Sequence, residues 1–231
     1  MSALPPGQPR WHLAAGACQS GVFATELTSE ACGWSYSSLR VLELQPGGEV
    51  NMATGLGEVL VLPLSGACVV TADGHQMALA GRRDVFSRVT DFAYLPRDSA
   101  VTVRSDAGGR SALPGAKATR RLPARYGPAQ NVPVEIRGSR QASRQASSPS
   151  RPIDVLAEVR TGDVVLVPHG YHGPSMAAPG YDLYYLNVLA GPGAERTMAF
   201  CDDPEHAWIR GGWAGQHTDP RLPMATHEER R

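Results

Sequence analysis

The sequence has little of what marks several protein classes. Its 22 basic and 22 acidic residues cancel, so no overall field favours nucleic acid or an anionic membrane. No apolar run approaches the roughly 20 residues that a membrane-spanning helix needs. The first ten residues also lack the apolar centre of a secretion signal. We therefore expect a cytoplasmic protein whose partners include neither nucleic acid nor a membrane.

The cysteines lack the spacing of a redox or metal motif. No two of them form a C-x-x-C pair. A chain of 231 residues can also bury a core that needs no disulfide bonds. We expect small packed thiols at all four positions, Cys18, Cys32, Cys68 and Cys201.

Glycine and proline, in contrast, are abundant, with 25 and 19 residues. They separate short apolar runs at regular spacing, which is typical of short strands joined by tight turns. Asp73-Gly74 predicts a hairpin, and Ser65-Gly66 predicts a turn between two strands. The pattern fades after residue 108. The predicted strands, which together form one antiparallel barrel, cover 39–44, 58–64, 67–71, 77–80, 92–95 and 100–104.

The stretch 162–192 carries the strongest functional signal. An apolar run at 164–167 predicts a strand, Pro168 and Gly170 then break the chain, and 183–189 predicts a second strand. Strand, irregular loop and strand is how a small β-barrel brings a polar group to its mouth. His172 lies in that loop, where a neutral imidazole suits a metal ligand, and a hydrogen-bonded loop histidine is the alternative.

The segments GDVVLVPHGYH, APGYDLYYLNVLAGP and AFCDDPEHAWIR resemble the two-barrel cupin sugar isomerases of the 5-deoxy-glucuronate isomerase family. PLSGACVVTADGH and FAYLPRD extend the resemblance into the first half. The resemblance implies an all-β bicupin of two antiparallel jelly-roll barrels. It divides the chain into an N-terminal barrel (1–121), a partly flexible linker (122–152) and a C-terminal barrel with a tail (153–231). It also implies conversion of 5-deoxy-glucuronate to 5-dehydro-2-deoxy-gluconate in myo-inositol catabolism.

The sequence departs from the family between its halves. After a segment like EIRGSRQASRQ, the family continues with a strand, a histidine-rich loop of the type PPHKHD and a Glu-Glu strand. These resemble three of the four protein ligands of a divalent metal, Zn²⁺ or Mn²⁺, and His172 matches the fourth. This chain passes instead through SSPSR to Ile153. The resemblance therefore implies an internal deletion of several dozen residues, with most metal ligands absent and the second barrel incomplete.

Three further residues are candidates for contacts with a sugar acid. Tyr171 and Tyr185 offer hydroxyl groups and rings, and Arg82 offers a guanidinium group for a carboxylate. Strand aromatics are more often core, and a surface arginine is more often solvated. Strand alternation puts Tyr184 and Tyr185 on opposite faces, so that at most one faces a barrel interior. No general base is assigned.

Three other side chains have structural interpretations. His75 follows the Asp73-Gly74 turn and is expected to be exposed. His206 follows a turn start at Asp203-Pro204, and Trp208 is expected to pack back on the barrel.

Three functions stay open: a working isomerase, a catalytically inactive remnant, and a non-enzymatic sugar-binding bicupin. The expected partner is a small sugar acid, and unpaired strand edges in the second barrel would allow a homo-oligomer.

Overall fold

The structure, a computed structural model, describes residues 11–133, 146–147, 154–155, 157–172, 175, 177–193, 201–208 and 211. Their regular structure is nearly all β, with a four-residue α-helix α1 (Ser29–Cys32) and a 3-10 turn at Ala129–Asn131. No helix in these ranges is long and apolar enough to span a membrane. The strands are β1 (His12–Leu13), β2 (Phe23–Leu27), β3 (Ser37–Leu44), β4 (Gly48–Ala53), β5 (Gly57–Ala72), β6 (His75–Arg82), β7 (Phe92–Leu95), β8 (Ala100–Ser105), β9 (Gly109–Lys117), β10 (Arg125–Gly127), β11 (Ala146–Ser147), β12 (Asp154–Val155) and β13 (Val164–Val165).

Strands β2 to β10 form one curled antiparallel sheet, as the predicted barrel requires. The 16-residue strand β5 is its centre. The first part of β5 pairs with β7 and β9, and its second part pairs with β6 and β8. One long strand therefore joins the two layers of the fold. The all-β, cupin-like architecture predicted from the sequence is confirmed.

The turn predicted at Ser65-Gly66 is wrong, because β5 runs through both residues. The register of β5 shifts on either side, between Pro63 and Ser65 and between Gly66 and Cys68. Gly66 has a φ of 81°, and a Cβ there would lie 2.5 Å from the carbonyl oxygen of Gly108. This glycine makes a β-bulge that redirects the strand without ending it.

The hairpin predicted at Asp73-Gly74 is confirmed. Both residues have positive φ, 52° and 75°, as a two-residue type I′ turn requires. Ala72 pairs with His75 across the turn, which fixes the register of β5 against β6. His75 is exposed as predicted, with its Nδ1 3.0 Å from the carbonyl oxygen of Asp73.

Strand β9 was not predicted, although it lies between β3 and β5. Its sequence contains Pro114 and Gly115, which usually end a strand. Pro114 pairs with Leu39 of β3, while on the β5 side the register passes from Val59–Gly115 to Leu62–Ala112. The sheet therefore includes Pro114 although this residue has no N–H to donate. Packing within the sheet outweighs the tendency of Pro114 and Gly115 to end a strand.

The interior of the first barrel is filled with apolar side chains. One cavity of about 10 Å³, room for about one water, is lined in part by Ser65, Cys68 and Ser111. The described part of this barrel is thus a packed core that supports the rest of the chain. Its fully buried members include Leu42, Val61, Val70, Leu79, Leu95 and Val103.

The start of the chain pairs with the second half, which the sequence did not predict. Strand β1 forms an antiparallel ladder with β13, with His12 opposite Val165 and Leu13 opposite Val164. Leu13 and Leu166 are buried in a second core cluster with residues of the first barrel's edge, Leu27 and Cys32.

The strand predicted at 183–189 is wrong, because these residues form no ladder. Their exposure nevertheless alternates as in a strand. Tyr184, Leu186 and Val188 are half-buried, whereas Leu183, Tyr185 and Leu189 are exposed. A strand requires a neighbour for its N–H and C=O groups, and the described residues from 146 onward contain only two-residue ladders. That the second barrel is incomplete stays a prediction, because the described residues cover only part of it. The proposed linking strand at 132–136 and the linker at 138–151 lie mostly outside the described residues.

Candidate functional site

His172 lies in the loop that follows β13. Leu166 is buried and anchors the end of the strand, and the chain then turns through Gly170, whose φ is 88°. Tyr171 is half-buried and His172 is exposed. The loop therefore presents the imidazole at the surface, and its place at a barrel mouth stays a prediction.

A divalent metal needs several ligands that converge from neighbouring elements. Among the described residues, no three His, Cys, Asp or Glu side chains come together in a way that could hold one. Within the described part of the chain, His172 is therefore not a member of a cluster that could bind a metal ion. The described residues do not fit the divalent metal that the resemblance implies.

Tyr171 lies beside the segment 201–203, a contact that sequence reasoning did not find. Partial burial raises the pKa of the Tyr171 phenol, and Cys201 raises it further through its charge and a hydrogen bond. The carboxylates of Asp203 and Asp202 act in the same direction. The loop of His172 and this acidic segment thus form one neighbourhood.

The turn predicted after Asp203 is confirmed. Asp203 Oδ1 accepts a hydrogen bond of 3.0 Å from the backbone N–H of Glu205, and Asp203 Oδ2 lies 3.6 Å from His206 Nδ1. His206 therefore has a structural partner, as expected. Trp208 is 70% exposed, so the prediction that it packs back on the barrel is wrong. Among the described residues, neither 183–189 nor 201–208 forms a strand ladder against which its indole could pack.

Arg82 is buried at 8% exposure, so the alternative interpretation as a solvated surface charge is wrong. Its Nε donates to the carbonyl oxygen of Pro63 at 3.0 Å, and its Nη1 donates to those of Val85 and Arg88 at 3.4 and 3.3 Å. Its Nη2 lies 3.4 Å from the Tyr184 hydroxyl oxygen. Most of the five N–H groups of a guanidinium are thus directed at protein atoms. A bidentate contact with a sugar carboxylate would have to release one of them.

Tyr184 and Tyr185 lie on opposite faces, as strand alternation predicted. The Arg82 guanidinium carbon lies 5.4 Å from the centre of the Tyr184 ring, and Phe86 meets that ring edge-on, with centroids 6.5 Å apart. Tyr185 is 56% exposed. The sequence singled out Tyr185, but Tyr184 is the tyrosine that contacts the first barrel.

A buried carboxylate holds the strand end that carries Arg82. Asp91 is 3% exposed and accepts hydrogen bonds from the N–H groups of Ala80 and Gly81 at 2.7 and 3.0 Å, and from the Tyr126 hydroxyl at 3.0 Å. Burial raises the pKa of Tyr126, and the hydrogen bond to Asp91 and its charge raise it further. With the Thr90 hydroxyl, which donates to Oδ1 at 3.3 Å, four donors satisfy the carboxylate, and this fixes the end of β6.

Comparison with known proteins identifies similar sequences and folds. The sequence profile of the KduI/IolB family matches residues 12–148 and 145–209. A 5-deoxy-glucuronate isomerase from Geobacillus kaustophilus is 28% identical over 248 residues, which cover 79% of this chain and 89% of the relative. One from Bacillus subtilis is 25% identical over 250 residues, with 80% and 91% covered. The crystal structure of an IolB-like protein from Salmonella typhimurium LT2 shares the fold, with a TM-score of 0.75 at 21% identity over 86% of this chain and 98% of that one.

The same comparisons bear on the internal deletion. The Geobacillus alignment, at 248 residues, is longer than this chain of 231, so the relative contains residues without a counterpart here. The profile matches in two pieces that meet at 145–148. This junction lies just before Ile153, next to the position where the sequence predicts that residues are missing.

Proposed function

The chain belongs to the KduI/IolB family, and from this membership we propose that it is an isomerase that converts 5-deoxy-glucuronate to 5-dehydro-2-deoxy-gluconate. The observation that carries the proposal is the agreement with relatives of that name over 79% of the chain. We further propose that it acts in the cytoplasm, in myo-inositol catabolism.

The proposed reaction moves a proton between adjacent carbons of the sugar through an enediolate. Such a reaction needs a general base and a group that stabilises the developing negative charge. We propose Tyr171, Tyr185 and Arg82 as contacts for the sugar acid, and His172 as the position that corresponds to the family's metal ligand. These proposed roles do not depend on a metal, because the described residues do not fit one.

A second candidate function is binding of a sugar acid without turnover. It is supported by the sequence between the halves, which passes through SSPSR to Ile153 without a histidine-rich loop. Exposed aromatic side chains such as Tyr181 and Tyr185 are available to contact a sugar ring. A chain that kept such contacts and lost its reactive groups would behave as a binding protein.

One experiment separates these candidates. The full chain is incubated with 5-deoxy-glucuronate, and the ketose product is followed by proton NMR, with and without added Mn²⁺ or Zn²⁺. In parallel, binding of the same uronate is measured by calorimetry. Turnover supports the isomerase, and saturable binding without turnover supports the second candidate. The absence of both turnover and binding supports an inactive remnant. Light scattering of the same sample tests the expected homo-oligomer.

A further inference from the structure

We propose that Arg82 is a positioning residue that fixes segment 181–190 of the second half on the first barrel by holding Tyr184. The two residues are 102 positions apart in the sequence, and they meet through a hydrogen bond and a ring contact. The inference concerns how the halves are joined, and it does not depend on the proposed reaction.

The Arg82 side chain is fixed before Tyr184 is considered. Carbonyl oxygens from three positions of the first barrel accept its N–H groups, those of Pro63, Val85 and Arg88. The strand end that carries it is held by Asp91, which accepts from the N–H groups of Ala80 and Gly81. The guanidinium therefore presents a rigid surface, and little side-chain entropy remains to be lost when another group binds it.

Tyr184 uses this surface in two ways. Its ring lies on the guanidinium and is met edge-on by Phe86, while its hydroxyl group lies within 3.4 Å of Arg82 Nη2. A cation over an aromatic face is attractive, and the attraction is stronger when both are shielded from water. Leu186 and Val188 are half-buried on the same face of the segment. Tyr184 thus sets which face of the segment turns inward.

Side-chain contacts of this kind matter here because the segment forms no ladder with the described strands. Residues 183–189 show strand-like alternation, yet they are paired with no strand in the described part of the chain. An extended segment without a neighbouring strand has no backbone hydrogen bonds to set its position. The Arg82–Tyr184 contact supplies part of what a neighbouring strand would provide.

Limited proteolysis of the full chain with thermolysin tests the proposal. The readout is the rate of cleavage of the Asn187–Val188 bond by mass spectrometry, because no variant changes the residues of that bond. Tyr184→Ala should raise this rate about tenfold, as expected when a local contact is lost and the segment opens more often. Tyr184→Phe keeps the ring contact and should show a smaller rise. The melting of the first barrel, followed by circular dichroism, should not change.

Tyr185→Ala is the matched control, because Tyr185 is the exposed neighbour. It should leave the cleavage rate at the wild-type value. A rise with Tyr185→Ala equal to that with Tyr184→Ala would overturn the proposal, and so would no rise with Tyr184→Ala. Both outcomes are independent of uronate turnover, so they do not bear on the proposed function.

Arg82→Lys tests the arginine itself. Lysine keeps the charge and loses the planar fork that serves several carbonyl groups at once. Its cleavage rate should resemble that of Tyr184→Ala, and the double variant should cleave no faster than either single one, because both remove the same contact. Additive effects of the two substitutions would contradict a shared role. If Arg82→Lys fails to fold, the Tyr184 and Tyr185 variants still decide the question.

Discussion

The Nε2 atom of His12 lies 2.8 Å from Oδ2 of Asp163, which joins the start of the chain to the second half. Asp163 also accepts hydrogen bonds from the backbone N–H groups of Ala15 and Arg160, at 2.9 and 3.0 Å. Its side chain is only 7% exposed. This carboxylate therefore fixes the small sheet of β1 and β13, on which the loop of His172 begins.

Asp163→Asn should lower the free energy of unfolding by about 1–3 kcal/mol, because hydrogen bonds to a charged, buried acceptor are weakened. Urea unfolding followed by circular dichroism measures the change. Glu158→Gln is the matched control. Glu158 pairs with Arg160 at 3.3 Å, but both side chains are about four-fifths exposed. Such a pair contributes little, so an equal loss in both variants would contradict the assigned role of Asp163.

The contribution of Asp163 should depend on pH. Burial raises the pKa of its carboxyl group, but hydrogen bonds from Arg160, His12 and Ala15 outweigh this and hold the pKa below its usual range. A folded-state pKa below the unfolded value stabilises the protein above the unfolded pKa of about 3.9, and the stabilisation is lost as the pH falls through the folded pKa. The stability difference between wild type and Asp163→Asn should be full near neutral pH and shrink below about pH 4. A stability difference that stays constant from about pH 7 to about pH 3 would contradict the lowered pKa of Asp163.

Gly81 should tolerate no side chain. Its φ is 60°, and a Cβ there would overlap the carbonyl oxygen of Gly66 in the neighbouring strand. We expect Gly81→Ala to cost about 4 kcal/mol or more, or to prevent folding. Gly74→Ala is the control, because Gly74 has a φ of 75° and open space around its Cα. That variant should lose only about 1–2 kcal/mol of backbone strain. Similar losses in thermal unfolding would refute the close approach of β5 and β6.

The thiols should differ strongly in reactivity. Cys32 and Cys68 are buried, and burial is the main cause that raises the pKa of each to about 11. Cys201 is exposed. Because the thiolate is the nucleophile, iodoacetamide at about pH 8 should label Cys201 first, as mass spectrometry can show. Cys201→Ser should abolish the fast phase. Labelling of Cys68 at the rate of Cys201 would show that the first barrel opens easily.

The sequence predicted the turns and strands whose signals lie in a few consecutive residues. Asp73-Gly74 has the residues that a type I′ turn needs, and the strand predicted at 92–95 has the observed bounds. Elements that depend on distant partners were missed. Strand β1 is two residues long and exists through its pairing with β13. Strand β9 contains Pro114, and only the surrounding sheet makes it a strand.

The candidate site likewise has features that the local sequence pattern predicted and features that depend on distant residues. The position of His172 in a loop after a short strand followed from the local pattern and was confirmed. The alternation of Tyr184 and Tyr185 was also predictable, but which of them faces the first barrel depends on Arg82. The burial of Arg82 in turn rests on carbonyl groups of Pro63, Val85 and Arg88, whose convergence no sequence pattern reveals.

The most direct test of the account is turnover of 5-deoxy-glucuronate by the purified full chain, followed by proton NMR with and without added Mn²⁺ or Zn²⁺. As a member of the KduI/IolB family with the proposed isomerase activity, the protein is predicted to convert this uronate to the ketose 5-dehydro-2-deoxy-gluconate. A folded sample that forms no ketose under either condition would contradict the proposed function, and saturable binding in that sample would establish the sugar-binding alternative.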